Sequence, residues 1–327
     1  MKRLITWSAL FIVAVLASPS LLADVKTRDK STFSLEGVMG SMVRMFGGSA
    51  ARDGITATVA VKGDRKSSIN DNNGQIVDLT EQKLYTLDVK KKEYKVTTFA
   101  ELRAAYEKAK ADAAKQAKDM KPEEKQQVED AGKQLEFEID IKETGEKKSI
   151  AGYDTHEVVM TITGHEKGKA LEEGGGIVLT NNIWMGPKIA ALDESRDFEL
   201  RYAKAVYGES FAADMQQMAA MVAMYPAFTT MSTKMQTEGK KLQGTALSSS
   251  TTFESVRSAE QMKAAADQQQ ARGGGGLSGA FAKKLMGNRG QPTQRTKVMT
   301  STHDLLSIDT TVTAADVAIP AGFKEKK

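Results

Sequence analysis

Three histidines, His156, His165 and His303, are the only ones in 327 residues, and there is no cysteine. Thiol catalysis and zinc-thiolate binding are therefore excluded. His156 and His165 flank one predicted strand; nine residues apart, they would stand roughly 30 Å from each other on an extended chain. No His-x-His or His-Glu-x-x-His spacing is present, so neither a metal centre nor a hydrolytic triad is advertised. Asp193, Glu194, Asp197 and Glu199 form an acidic cluster. Paired carboxylates can run glycoside hydrolysis, but acids at this point also suit the positive end of a helix dipole, which is the reading taken here. Met215, Met218, Met221 and Met224 recur every third residue. Thioethers bind Cu(I), yet a spacing of three spirals around a helix of 3.6 residues per turn, so the sulfurs diverge. Core packing or a soft apolar binding surface is expected instead. The runs Gly174-Gly175-Gly176 and Gly273 to Gly276 lack the Lys-Ser or Lys-Thr of a phosphate loop and are read as flexible loops. No cofactor, no metal and no catalytic residue is expected.

The elements that would position any site change character along the chain. Residues 55–61, 65–69, 75–79, 83–88 and 93–97 alternate and are separated by Gly63-Asp64, Asp71-Asn72-Asn73-Gly74 and similar turns, predicting a meander of antiparallel strands. On 83–88, Tyr85 and Leu87 share the wholly apolar face, which continues to Val89. At Thr98-Phe99-Ala100-Glu101 a capping box opens a helix bearing Phe99, Leu102 and Tyr106, followed by a solvated Ala/Lys stretch toward residue 134. Residues 135–141 alternate strictly, with Phe137, Ile139 and Ile141 on the buried side and Glu138 on the wet side. Further strands are expected at 148–150, 156–163, 177–185, 245–256 and 296–308. A long amphipathic helix is expected over 196–225, stopped by Pro226, with Phe198, Tyr202, Phe211, Met215 and Met218 on its stripe. A polar helix is expected over 258–272, and a flexible glycine-rich insertion over 258–294 as a whole.

The chain begins with Met1-Lys2-Arg3, an apolar run from Leu4 to Leu16, and a small residue, Ala23, before Asp24. That order reads as a cleavable secretory signal peptide over 1–23, with Asp24 as the mature N-terminus and the periplasm as destination. The formal charge of +4 falls to +2 without Lys2 and Arg3, close to neutral for this size, so no nucleic-acid partner is implied.

Leu84-Tyr85-Thr86-Leu87-Asp88 with Lys90-Lys91-Lys92-Glu93-Tyr94, running into Thr97 to Leu102, resembles one landmark of a family of exported bacterial domains of unknown function. Ile150-Ala151-Gly152-Tyr153-Asp154 with His156-Glu157-Val158 resembles a second, a hairpin centred on "IAGY". Ile319-Pro320-Ala321-Gly322-Phe323-Lys324 is similar to a third. The same segments resemble the wider LolA/LolB-like superfamily of periplasmic lipoprotein carriers, over roughly residues 50 to 325. The resemblance implies a strongly curved antiparallel sheet, an unclosed barrel, whose helices shelter acyl chains. Arg65, on an early strand, stands nearest to the arginine on which those carriers' ligand binding depends.

The expectation is therefore an α+β protein: a signal peptide at 1–23, then a single LolA-like domain over 24–327 with a helical insertion at 99–134. One curved antiparallel sheet would carry helices over its concave face. The expected function is non-enzymatic binding of a lipid, lipoprotein or other apolar ligand, with peripheral contact to envelope membranes. Phe137, Ile139 and Leu87 would line the site on the sheet, and Phe211, Met215 and Met218 would form a deformable cover. The alternative is a structural or sensory envelope protein whose sheet is filled by its own side chains.

Overall fold

The computed structural model describes residues 24–36, 53–119, 121, 134–208, 211, 216, 226–273 and 293–326. The signal-peptide region, Met215 and Met218 lie outside the described residues, as do 274–292 of the glycine-rich insertion. In chain order the elements are β1 (Val25–Leu35), β2 (Ile55–Lys62), β3 (Arg65–Asn70), β4 (Asn73–Asp78), β5 (Lys83–Asp88), β6 (Glu93–Thr98), helix α1 (Phe99–Asp119), β7 (Leu135–Ile150), β8 (Tyr153–Glu166), the one-turn helix α2 (Leu171–Gly174) and β9 (Gly176–Gly186). Then follow helices α3 (Ala190–Tyr207) and α4 (Pro226–Glu238), a 3-10 turn Gly239–Leu242, β10 (Thr245–Val256), helix α5 (Ala259–Gly273), β11 (Arg295–Asp309), a 3-10 turn Ala314–Val317, and β12 (Lys324–Glu325).

All twelve strands join one unclosed sheet in the order β12-β6-β5-β4-β3-β2-β1-β11-β10-β9-β8-β7. Every pair is antiparallel except β12 with β6. Local chemistry explains the meander. Asp78 Oδ1 accepts from the Glu81 amide at 2.8 Å and Asp88 Oδ1 from the Lys91 amide at 3.0 Å, so two successive turns are closed by the same aspartate device. Each turn ends on a left-handed residue, Gln82 or Lys92. The capping box is present: the Glu101 amide donates to Thr98 Oγ1 at 3.2 Å, and the Thr98 amide donates back to Glu101 at 2.7 Å. At the tip of β7–β8, Ala151 and Gly152 both have positive φ, which a two-residue hairpin turn with the strands' own twist requires.

Paired residues lie on the same face, so the register sorts the sheet into two sides. Val25, Val61, Lys66, Val77 and Leu84 form one cross-strand row. On this side Val25, Val61 and Val77 pack with Phe99 from α1 and Phe198 and Val206 from α3. Further along the same side, Leu247 and Leu305 pack with Ile189, just before α3. Ile139, Ile141, Val158, Ile183 and Met185 form a third cluster there, joined by Leu242. The opposite side of β3–β6 carries Ile76, Tyr85 and Leu87, against which Ile319 and Phe323 of the C-terminal segment pack. Among the described residues no helix is long and apolar enough to cross a membrane.

Two expectations change. The helix foreseen over 196–225 starts earlier, at Ala190, and α3 ends at Tyr207 with Gly208 at φ 69° as its left-handed cap. Pro226 is the first residue of α4 as described, a position that needs no amide donor; residues 217–225 lie outside the described residues. Gly174–Gly176 is not a loose loop. A Cβ on Gly176 would lie 2.1 Å from the Gly164 carbonyl oxygen, so glycine is what lets β9 approach β8 there.

Candidate functional site

Between α3 and the middle of the sheet lies a cavity of about 410 Å³. Val25, Val59, Leu192, Ala246 and Leu305 supply apolar wall, and Thr27, Asp29, Lys66, Ser195, Glu199 and His303 supply polar groups, with Arg196 beside them. The helix is set over this space by ionic contacts. Glu194, almost fully buried, accepts from Arg201 at 2.8 Å, and Arg201 also donates to Asp64 at 2.7 Å and to the Gly63 carbonyl at 3.2 Å. The β2–β3 turn and the first half of α3 are thereby tied together. Phe198 and Tyr202 project from the same helix into the core, where Tyr202 meets Phe99 edge-on at 5.4 Å. Burial raises the Tyr202 phenol above its usual range.

Three of the four acids in the cluster at α3 are held in ion pairs. Asp193 pairs with Arg196 at 2.8 Å and Lys188 at 3.2 Å, Glu194 with Arg201, and Glu199 with Lys66 from β3. Lys66 also reaches Ser195 Oγ at 3.5 Å. A serine beside a lysine can be an activated nucleophile only if the amine is free to take a proton. Here the ammonium is held by Glu199, so the pair is arranged as a salt bridge with a hydroxyl neighbour. His303 lines the cavity apart from that pair: its Nδ1 is 3.2 Å from Ser31 Oγ and its Nε2 is 3.7 Å from Asp29 Oδ1, both across the β1–β11 pairing. Asp29 also accepts from Thr27 Oγ1 at 2.6 Å. No group of three or more metal-ligating side chains is present among the described residues.

The structure separates the residues expected to share a site. Leu87 lies on the opposite side of the sheet from Ile139 and Phe137, under the C-terminal segment and fully buried. It stands on the third strand of the order and they stand on the twelfth. Ile139 is packed into the cluster closed by Leu242 and does not line the α3 cavity. Phe137 is half-buried and lines a separate cavity of about 370 Å³ with Ile177, His165 and the backbone of Gly174–Gly176. Phe211 stacks on Tyr207 at 5.2 Å, and Tyr207 in turn meets Tyr106 of α1 at 4.9 Å. Arg65 points to the side away from the α3 cavity, with Nε 3.2 Å from the buried carboxylate of Asp78. Its charge is spent on the β3–β4 pairing.

The cavity residues were hidden in the sequence because they come from six elements far apart in the chain, and most sit in polar stretches. Asp29, Thr27 and His303 carry no spacing signal. Only the acidic opening of α3 is visible in the sequence, where it reads as a helix start. Comparison with protein-family models, with curated proteins and with solved structures finds no match for this chain.

Proposed function

We propose that the chain is an exported, non-enzymatic binding protein that shelters an apolar ligand, a lipid or a lipoprotein's acyl chain, between its sheet and helix α3. The observation that carries this reading is the α3 cavity: about 410 Å³, apolar on several walls and polar at a few points. That size and lining fall within the range of small-molecule sites, which are mostly apolar with a few placed polar groups. The reading takes the sheet as an unclosed barrel curved around the ligand, with the helices on its concave face, as the likeness to periplasmic lipoprotein carriers implies. Residues 1–23 would direct the chain to the periplasm, where peripheral contact with envelope membranes would deliver or collect the ligand. The ligand wall is assigned to Val25, Val59, Leu192 and Leu305, in place of the surfaces around Ile139 and Leu87, which are filled by side chains.

A fluorescent acyl probe with an uncharged head, titrated into the folded chain, tests the reading. Affinity should rise with chain length, by up to about 0.8 kcal/mol per buried methylene, until the cavity is full. Leu192→Asp should weaken binding by placing an unpaired charge on the wall, with a thermal melt run alongside to establish that the variant is folded. A folded protein that binds no acyl probe of any length would end the carrier reading. The structural role, with a sheet filled by its own side chains, would then be the better account; the packing around Ile139 and Leu87 already favours it for those surfaces.

A further inference from the structure

The charges that line the α3 cavity are not balanced alike. Lys66 is paired with Glu199, and Arg196 is paired with Asp193, so both cations are neutralised by acids from α3 itself. Asp29 is different. Its side chain is only 16% exposed, yet its one ion-pair partner among the described residues is His303, with Nε2 at 3.7 Å. That is beyond hydrogen-bond distance. Oδ2 is occupied by the Thr27 hydroxyl at 2.6 Å, while Oδ1 has no hydrogen bond among the described residues. That oxygen is open to the cavity, so it can accept a hydrogen bond from a group that enters it. A ligand donor would reach it from within the cavity, because Asp29 is part of the lining.

We propose that Asp29 selects the ligand's head group: the cavity takes an amphiphile whose polar end donates hydrogen bonds, an ammonium or a hydroxyl, in preference to one ending in an anion. This rests on the reading of the cavity as a ligand site and adds a chemical class to it. The apolar tail lies along Val25, Val59, Leu192 and Leu305, and the donating head meets Asp29 Oδ1 beside His303. An anionic head gains nothing at this point. The two cations near it are already engaged, and Asp29 repels it. Asp29 is a specificity residue here, acting on the head group and not on the tail.

The test is displacement of a fluorescent acyl probe from the full exported chain by three ligands of equal length: dodecylamine, dodecanol and dodecanoate. Dodecylamine should bind at least about tenfold more tightly than dodecanoate, the effect of about one hydrogen bond to a charged group, with dodecanol between them. In Asp29→Asn this preference should fall to within about twofold while the probe itself still binds. Thr27→Ala, which frees the second carboxylate oxygen, should widen the preference, and serves if the Asn variant does not fold. Equal or tighter binding of dodecanoate, or a preference that survives in Asp29→Asn, would overturn the head-group assignment while leaving the shelter reading intact. Failure of all three ligands and of the probe would overturn both.

Discussion

The two halves of the sheet are built on different terms. Strands β2–β6 are short, six to eight residues, joined by tight turns, and buried from both sides. One side meets α1 and α3, and the other meets the C-terminal segment through Ile319, Phe323, Val312 and Val317. Strands β7–β11 are long, eleven to sixteen residues. Their side facing away from α3 carries cross-strand rows of small polar residues: Thr300, Thr252, Thr180 and Thr161 in one, and Thr302, Ser250 and Asn182 in the next. The short half derives its order from side chains packed on both faces. The long half relies on its α3-side apolar face, on a small cluster of Leu171, Val178 and Val256 at one end of the other face, and on extended backbone ladders lined by β-branched threonines, which suit a pleated surface. β1 joins the halves, pairing with β2 on one side and β11 on the other. The α3 cavity lies at this seam, where wall residues come from both halves.

Substitutions should report this contrast in order of burial. Phe198→Ala removes a fully buried ring from under α3 and should cost about 3–5 kcal/mol in denaturant melts. Leu87→Ala, under the C-terminal segment, should cost about 2–5 kcal/mol. A cost for Leu87→Ala below about 0.5 kcal/mol would mean that the tail-side cover contributes little and that the halves are more alike than described. In the long half, Ile139→Ala should cost more than Phe137→Ala, although phenylalanine is larger, because Phe137 is half-buried on an open cavity and Ile139 is enclosed.

The tail-side core also carries a titration marker. Burial first, and then the hydrogen bond from its hydroxyl to Glu81 at 2.7 Å, push the Tyr85 phenol up to about 12. Its folded value therefore lies above the ordinary value of 10. The stability it contributes is complete below about pH 10 and is lost as pH rises from there toward about 12. Phenolate absorbance should show late ionisation in the folded chain, to which Tyr202 also contributes; Tyr85→Phe should remove part of it and flatten the alkaline limb of the stability curve. An unchanged limb in Tyr85→Phe would separate the alkaline transition from this core.

Two smaller effects complete the comparison. Thr98→Ala should cost about 1 kcal/mol through loss of the α1 cap, since Thr98 Oγ1 is the acceptor for the Glu101 amide. Thr252→Ala, within the threonine row, should change stability by no more than about 0.5 kcal/mol. A loss several times larger would show that the hydroxyl rows are themselves a cohesive element and not simply a tolerated polar face.

The sequence by itself determined most local structure. The β2–β6 meander, the Thr98 cap and the alternation of 135–141 all follow from patterns within a few residues, where periodicity and turn chemistry act. Strand β1 was not legible. Val25-Lys26-Thr27-Arg28-Asp29-Lys30-Ser31-Thr32 is too polar to announce a strand, and it is one only because β2 and β11 pair with both its edges. The tertiary structure alone decided which faces meet. Leu87 and Ile139 each occupy the apolar side of a well-patterned strand, but alternation says only that neighbouring residues point apart, not which side of a twelve-stranded sheet each strand presents. That choice is set by register across all the intervening strands and by the bulges within them. The cavity lined by Asp29, Lys66, Ser195 and His303 depends on the same long-range register, so no stretch of the chain could have disclosed it.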